Sequence, residues 1–207
     1  MRAPIRTLAI VLAALSASAC VSLLPKSDPA QLYRFDVDPI GGEASAAAGS
    51  QVGLLKPPAR FPQAAAGDRI LTVSGGQAAY IAAARWVAPA SVRFDEAVAR
   101  GFDGNAGAAR LVTRGEVARA DMALRLDVRT FETVYDNGPE AAPQVVVQVR
   151  AVLTRSGDRT LVGERMFLQS VRAGDNRVAA IVAAYDQAVT AIVGELVGWT
   201  NQVAMAG

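Results

Sequence analysis

The chain has 207 residues, with 21 Lys or Arg, 19 Asp or Glu, one Cys and no His. The absence of His excludes Ser-His-Asp and Cys-His nucleophile systems and an imidazole general base. A single Cys cannot close an internal disulfide, and without His it cannot complete a zinc site of the usual Cys/His type. The length allows one domain, or at most two small ones.

The first twenty residues have the three-part layout of a secretory signal peptide. Arg2 and Arg6 give a positive region, an apolar run covers residues 8–15, and small residues lead to the single cysteine, Cys20. This pattern fits three outcomes: cleavage before a lipidated Cys20, cleavage at the same bond by the ordinary signal peptidase, or retention of residues 8–24 as a membrane anchor.

The position of Cys20 favours the lipoprotein outcome. The apolar core is shorter than the roughly 20 residues that a spanning helix needs, which argues against an anchor. The only Cys stands directly after the predicted cleavage site, although Ala17 occupies the position where a lipobox usually has Leu. We therefore expect a signal peptide at residues 1–19 and lipid attachment, including palmitate, at Cys20.

The mature chain is predicted to be electrically balanced. Removal of residues 1–19 takes away Arg2 and Arg6 and no acid, which leaves 19 basic and 19 acidic residues. Such a balance gives no reason to expect a nucleic-acid partner. Val21 rather than Asp follows Cys20, which by the sorting rule of Gram-negative lipoproteins favours the outer membrane. Residues 20–30 carry two prolines and no periodicity, and predict a lipidated tether.

The first half of the mature chain predicts short strands and one helix. Alternation over residues 31–37 indicates a strand with Tyr33, Phe35 and Val37 on its apolar face. Residues 39–68 are rich in Ala, Gly and Pro and predict a loop that includes one short strand. Pro89 favours the start of a helix that ends near residues 101–104. Strands are predicted at residues 52–56, 70–74, 79–86 and 110–113, with a helix as the alternative for 79–86.

The second half predicts a meander and a closing helix. Three strands, at residues 121–135, 145–153 and 160–171, are joined by short turns and must be antiparallel neighbours. A change in apolar parity at Thr130 and Phe131 predicts a bulge. An apolar stripe from about residue 175 to 202 predicts a helix wide enough to cover a sheet.

These elements predict an α+β fold. We expect an antiparallel β-sheet with two α-helices packed on one face, forming one domain over residues 31–202, preceded by the signal peptide and the flexible tether.

Three short patterns could carry chemistry, and each has a simpler structural interpretation. Asp36 and Asp38 would share a strand face and could bind a cation, but they also fit a solvated strand end. The dipeptide Asp95-Glu96 fits the positive end of a helix dipole. The Gly75-Gly76 pair lacks the longer glycine pattern of a phosphate cradle and predicts a turn.

A fourth pattern is a set of charged residues on the predicted meander: Arg125, Asp127, Arg129 and Arg150. We interpret it as an exposed cross-strand ladder, because an RNA-binding sheet would interleave aromatic residues on the same face. The sequence thus predicts no catalytic, cofactor or metal site, and Cys20 is the one site residue that it singles out.

Several short motifs follow Cys20 in a fixed order. They are Leu32-Tyr33-Arg34-Phe35, residues 69–73, Tyr80 with Ala84-Arg85-Trp86 and Pro89, residues 120–124 leading to Arg129-Thr130-Phe131-Glu132, Glu164-Arg165-Met166-Phe167, and Val197-Gly198-Trp199. In this order they resemble the ABC-type transport auxiliary lipoproteins, the PqiC-like group, over about residues 20–202.

The resemblance implies a non-enzymatic outer-membrane lipoprotein that faces the periplasm. Such proteins partner an MCE-domain protein with its ABC permease and ATPase, which together move lipid between membranes and contribute to outer-membrane integrity. The resemblance also implies a homo-oligomeric ring and no cofactor. Trp86, Arg85 and Phe131 are expected to define the fold rather than to contact lipid. The alternatives are a periplasmic lipoprotein that binds a small apolar ligand and an assembly or pilotin-type lipoprotein.

Overall fold

The computed structural model describes residues 29–36, 51–113, 115–116 and 119–206. The predicted signal peptide, Cys20, most of the tether, Val37 and Asp38 lie outside these residues. The strands are β1 Gln31–Tyr33, β2 Val52–Leu55, β3 Arg69–Ser74, β4 Gln77–Trp86, β5 Ala109–Leu111, β6 Met122–Val134, β7 Gln144–Arg155 and β8 Leu161–Arg172; the helices are α1 Gln63–Ala66, α2 Ala90–Asp103 and α3 Val178–Ala206.

The strands β6, β7 and β8 form an antiparallel meander, as predicted. Val128, Val149 and Phe167 lie in one row across its three strands, and all three are buried. The register shifts between Val128 and Thr130, which confirms the predicted bulge. The alternating burial along β6 and β7 leaves one apolar face covered and one face open to solvent.

The prediction of a wholly antiparallel sheet is wrong, because the eight-stranded sheet is mixed. Strand β1 is parallel to β4, β2 is parallel to β5 and β6, and β3 is parallel to β6. One edge of β6 pairs with β7, whereas the start of its other edge pairs with β2 and the end pairs with β3. Long connections allow these short strands to return in the parallel direction, whereas tight turns do not.

The two long helices lie at the positions predicted for them, and the α+β class is confirmed. Helix α3 packs against β7, β8 and α2. It is long and apolar enough to cross a membrane by length and composition, but more than half of its most apolar window is buried inside the fold. Core packing therefore accounts for its apolar character. The four-residue helix α1, inside the predicted loop, was not predicted.

An aromatic cluster joins the sheet to α3. The ring of Trp86 lies 5.1 Å from that of Phe35 and 5.2 Å from that of Tyr185, with both pairs edge to face. Phe131 lies 4.9 Å from Tyr185 and 5.5 Å from Phe35. All four side chains are buried. Such packed aromatic pairs stabilise a core beyond the area that they bury, which agrees with a fold-defining role for Trp86 and Phe131.

Candidate functional site

The base of the predicted tether is the first part of the chain that the structure describes. Residues 29 and 30 lead into β1, which pairs with β4 from Ala84 to Trp86. The N–H of Val87 donates to the carbonyl of Tyr33 at 2.8 Å. Two residues later Phe35 enters the aromatic cluster. These contacts fix the point at which the tether meets the domain, whereas Cys20 itself lies outside the described residues.

The direction of β1 places Pro29 and Ala30 toward one end of the domain. Strand β1 runs parallel to β4, so these two residues lie on the side of β1 that is nearer the Gly75-Gly76 turn. Pro29 and Ala30 line a groove with the segment 81–84 of β4. The β6–β7 turn is at the same end, since the N–H of Tyr135 donates to the carbonyl of Val73. The C-terminal end of α3 lies at the other end, beside the β7–β8 turn.

Asp36 is held in an ion network rather than at a solvated strand end. Its Oδ1 accepts from Arg93 at 2.6 Å and from Arg100 at 3.2 Å, and its Oδ2 lies 2.8 Å from Arg34. Its backbone N–H donates to Asp186 at 2.8 Å. Burial raises the pKa of Asp36, but the hydrogen bond from Arg93 and the three arginine charges outweigh burial and leave the pKa below its ordinary value.

Asp95 binds the loop that follows β2 and does not lie in the first turn of α2, where it would interact with the helix dipole. Helix α2 has no acid in its first turn, so the dipole interpretation is wrong. The carboxylate of Asp95 accepts from the ammonium of Lys56 and, at 3.1 Å, from the N–H of Ala59. Lys56 is only 7% exposed at its side chain, so this ion pair is largely withdrawn from water. The adjacent Glu96 pairs with Arg93 at 2.7 Å.

The predicted turn and the predicted charge ladder are both present. Gly75 and Gly76 have φ angles of +53° and +84°, which glycine adopts without a steric cost. Asp127 pairs across the strands with Arg150, and its Oδ2 lies 2.7 Å from Arg129. These residues lie on the open face of the sheet, as predicted.

Sequence reasoning missed a member of this ladder. Arg60 forms a parallel bridge with Asp127 and thereby joins the same row. No local pattern could have revealed it, because Arg60 is separated from β6 by more than sixty residues and lies in a proline-containing loop.

The geometry offers surface grooves and a filled core. Among the described residues, no group of three or more His, Cys, Asp or Glu side chains could hold a metal ion. A groove of about 560 Å³ lies over the open sheet face beside Pro57 and Pro58, and one of about 430 Å³ lies between β8 and the end of α3. Both are partly open to solvent, and both are lined by charged or polar as well as apolar side chains.

A mixed sheet backed by two long helices defines an α+β fold that solved structures also show. A Xanthomonas campestris protein of the DUF330 family aligns with a TM-score of 0.72 and 27% identity, over 85% of this chain and 98% of that one. An uncharacterised protein gives a TM-score of 0.65 at 12% identity, over 84% and 99%. A hypothetical protein from Chlamydia trachomatis gives 0.53 at 9% identity, over 76% and 99%.

The family model for the ABC-type transport auxiliary lipoprotein component matches residues 33–197. The chain therefore belongs to this family. The family confirms the resemblance, and it associates the protein with a membrane and with an ABC transport system. No curated protein matches the chain.

Proposed function

We propose that this protein is a non-catalytic lipoprotein of the outer membrane, facing the periplasm, in an MCE-type system for lipid transport between membranes. Membership of the auxiliary lipoprotein family is the observation that carries the proposal. Its partners are an MCE-domain protein with its ABC permease and ATPase, and its contribution is to outer-membrane integrity.

The N-terminal sequence supports attachment at Cys20 and delivery to the outer membrane. A diacyl anchor with a further amide-linked chain provides more apolar length than stable attachment needs. The nine residues from Cys20 to Pro29 span about 30 Å when extended. The domain then stays close to the membrane, and the end that carries the Gly75-Gly76 turn faces it. The opposite end, where α3 terminates, faces the periplasm and the transporter.

Two of the edge strands of the sheet support a ring. Among the described residues, β8 pairs only with β7, β1 only with β4 and β5 only with β2, and β8 lies at the opposite side of the sheet from β1. Met166 and Leu168 on β8 are 48% and 55% exposed, and Leu32 on β1 is 64% exposed. A contact between two different edges is heterologous, and when its rotation closes it generates a ring.

The filled core favours a docking role over capture of a small apolar ligand inside the domain. The space between the sheet and the helices is occupied by one continuous cluster of buried side chains that includes Phe94, Phe131 and Tyr185. The grooves in the described part of the chain lie on its surface. Some charged side chains of the described residues also form ion pairs that join separate elements, as at Asp36 and Asp95.

The anchor is tested by labelling cells with radioactive palmitate. We expect the wild-type chain and the control Ser22→Ala to incorporate the label in the outer-membrane fraction and Cys20→Ser to lose it. Equal labelling of Cys20→Ser and wild type would contradict the anchor without touching the transport role.

The transport role is tested by deletion and by capture. We expect deletion of the gene to increase sensitivity to detergent, and the wild-type gene but not Cys20→Ser to restore resistance. A tagged MCE-domain protein from the same cells should retain the wild-type chain after cross-linking. A deletion strain with normal resistance, together with no capture, would overturn the proposed function even if Cys20 is lipidated.

A further inference from the structure

Four arginines surround one carboxylate on the open face of the sheet. Asp127 on β6 is bridged to Arg60 on one side and paired with Arg150 on the other. Arg125 and Arg129 lie two residues before and after it on the same strand. Paired residues, and residues two apart in a strand, share a face of the sheet. These four arginines and the carboxylate therefore form a cross on the face of the sheet opposite to the face covered by α2 and α3.

The acidic residues near this cross form ion pairs with only two of its four arginines. Arg129 pairs with Asp127 at 2.7 Å. Arg150 donates two hydrogen bonds to Glu164, at 2.7 and 2.8 Å. Arg60 and Arg125 are exposed and form no ion pair with any described residue. These two positive charges have no ionic partner within the described part of the chain, and both side chains line a single depression.

Backbone hydrogen bonds to β6 fix the position of Arg60 in the wall of this depression. The depression has a volume of about 560 Å³, and its lining includes Pro57, Pro58, Val152 and every charged residue of the cross except Arg129. The N–H of Arg60 donates to the carbonyl of Leu126 at 3.0 Å, and its carbonyl accepts from Val128 at 2.8 Å. Small-molecule sites range from about 300 to 1,000 Å³, so the groove is large enough for a phosphate group with a short substituent.

We propose that this groove binds a phosphate or phosphodiester oxyanion through Arg60 and Arg125, with Arg150 at its wall. The planar fork of a guanidinium matches the spacing of two phosphate oxygens and donates two parallel hydrogen bonds to them. Pro57, Pro58 and Val152 give the groove an apolar flank that suits the glycerol and first methylenes of a phospholipid. The lipid source of the phosphate rests on the proposed function, whereas the oxyanion site rests on the geometry alone.

An acidic protein surface is the weaker occupant. A stable protein interface covers about 800 Å² on each partner. The charges of Arg60 and Arg125 lie in one concave groove beside the ion-paired Arg129 and Arg150. A small anionic group therefore fits this groove better than an extended acidic protein surface does.

The test uses the full chain in a non-ionic detergent and native mass spectrometry. The chain is incubated with equal amounts of phosphatidylglycerol and phosphatidylcholine, with and without inorganic phosphate as competitor. We expect preferential retention of phosphatidylglycerol and its displacement by phosphate. Arg60→Gln with Arg125→Gln should reduce this retention about tenfold, since two charge-assisted hydrogen-bonding groups are lost. Both side chains are exposed, so the variant should keep the circular dichroism spectrum of the wild type.

Two further variants make the result specific. Arg159→Gln with Arg177→Gln removes the same charge from exposed positions outside the groove and should leave retention unchanged. Asp127→Asn removes the central carboxylate and should increase retention about threefold, because it relieves repulsion of the anion at a partly exposed site.

Each result decides the proposal. Displacement by phosphate with no preference for phosphatidylglycerol keeps the oxyanion site and overturns the lipid source. Equal losses in the two double variants, or no change in Arg60→Gln with Arg125→Gln, overturn the site. None of these results depends on capture by the MCE-domain protein, so a failure here is distinct from a failure of the proposed function.

Discussion

At the scale of single residues, a few polar side chains join parts of the chain that are far apart in sequence. Asp36 joins β1 to α2 and α3, and Asp95 joins α2 to the loop after β2. The Oδ1 atom of Asn201 near the end of α3 accepts from the N–H of Ala109 in β5 at 3.0 Å. The sequence singled out Asp36 and Asp95 as candidates but not their partners, because those partners are set by the tertiary packing.

The Asp36 network should make stability depend on acid. The pKa of Asp36 in the folded protein lies below its ordinary value of 3.8. The stabilisation is therefore fully present above that value and is lost as the pH falls through the folded pKa. The side chain is 38% exposed, so solvent screening limits the effect. We expect Asp36→Asn to lower the free energy of unfolding at pH 7 by about 1–2 kcal/mol.

Urea unfolding at pH 7 and at pH 2.5 measures this effect. The wild type and Asp36→Asn should differ at pH 7, and the difference should be smaller at pH 2.5, because the contribution of the Asp36 charge is lost as the pH falls through the folded pKa. Asp103→Asn serves as a control, since Asp103 is exposed at the end of α2 and pairs with no described residue. A difference between wild type and Asp36→Asn that is the same at both pH values would contradict the ionic origin.

At the scale of elements, alternation of apolar residues predicted the strands well and their partners poorly. The parity change near Thr130 located the β6 bulge, and the turns fixed the antiparallel meander. The parallel pairing of β1 with β4 and of β2 with β5 could not be predicted, because a three- or four-residue strand carries too little pattern to specify a neighbour. The sequence identified the arginines of β6 and β7 as an exposed charge ladder without a binding role, and it did not identify Arg60 as their neighbour.

The irregular part of β4 offers a second test. Arg85 pairs with Arg69 and Tyr80 with Leu71, so extra residues of β4 bulge out between these pairs. Ala83 in this bulge has a φ angle of +52°, where an L-residue other than glycine is strained. We expect Ala83→Gly to raise the free energy of unfolding by about 0.5 kcal/mol, because the released strain exceeds the added entropy of the unfolded chain.

Ala82→Gly is the matched control for the bulge. Ala82 is also exposed in β4 but its φ angle is not positive, so glycine there relieves no strain. We expect Ala82→Gly to destabilise the protein by about 0.5–1 kcal/mol in the same urea measurement. A loss of stability in Ala83→Gly as large as that in Ala82→Gly would show that Ala83 is not strained.

At the scale of the whole molecule, the β8 edge decides how copies of the chain can associate. Its middle, Met166 to Gln169, carries no charge, whereas Glu164, Arg165 and Arg172 stand toward its ends. Monomeric proteins usually protect such an edge with inward-pointing charges, prolines or bulges. Otherwise the unpaired backbone N–H and C=O groups of the edge strand can form hydrogen bonds with a strand of another chain. The absence of charge at the centre of β8 fits an edge that another copy covers, as the proposed ring requires.

Substitution of Leu168 by Lys tests the ring directly. An ammonium buried without a partner at each contact costs several kcal/mol, so Leu168→Lys should raise the dissociation constant between copies by about a hundredfold or more. Leu161→Lys is a close control, since Leu161 begins the same strand and is 58% exposed against 55% for Leu168. The mass of the full chain in detergent, from light scattering, should show an oligomer for wild type and Leu161→Lys and smaller species for Leu168→Lys. A monomeric wild type, or equal masses for the two variants, would remove β8 from the proposed contact.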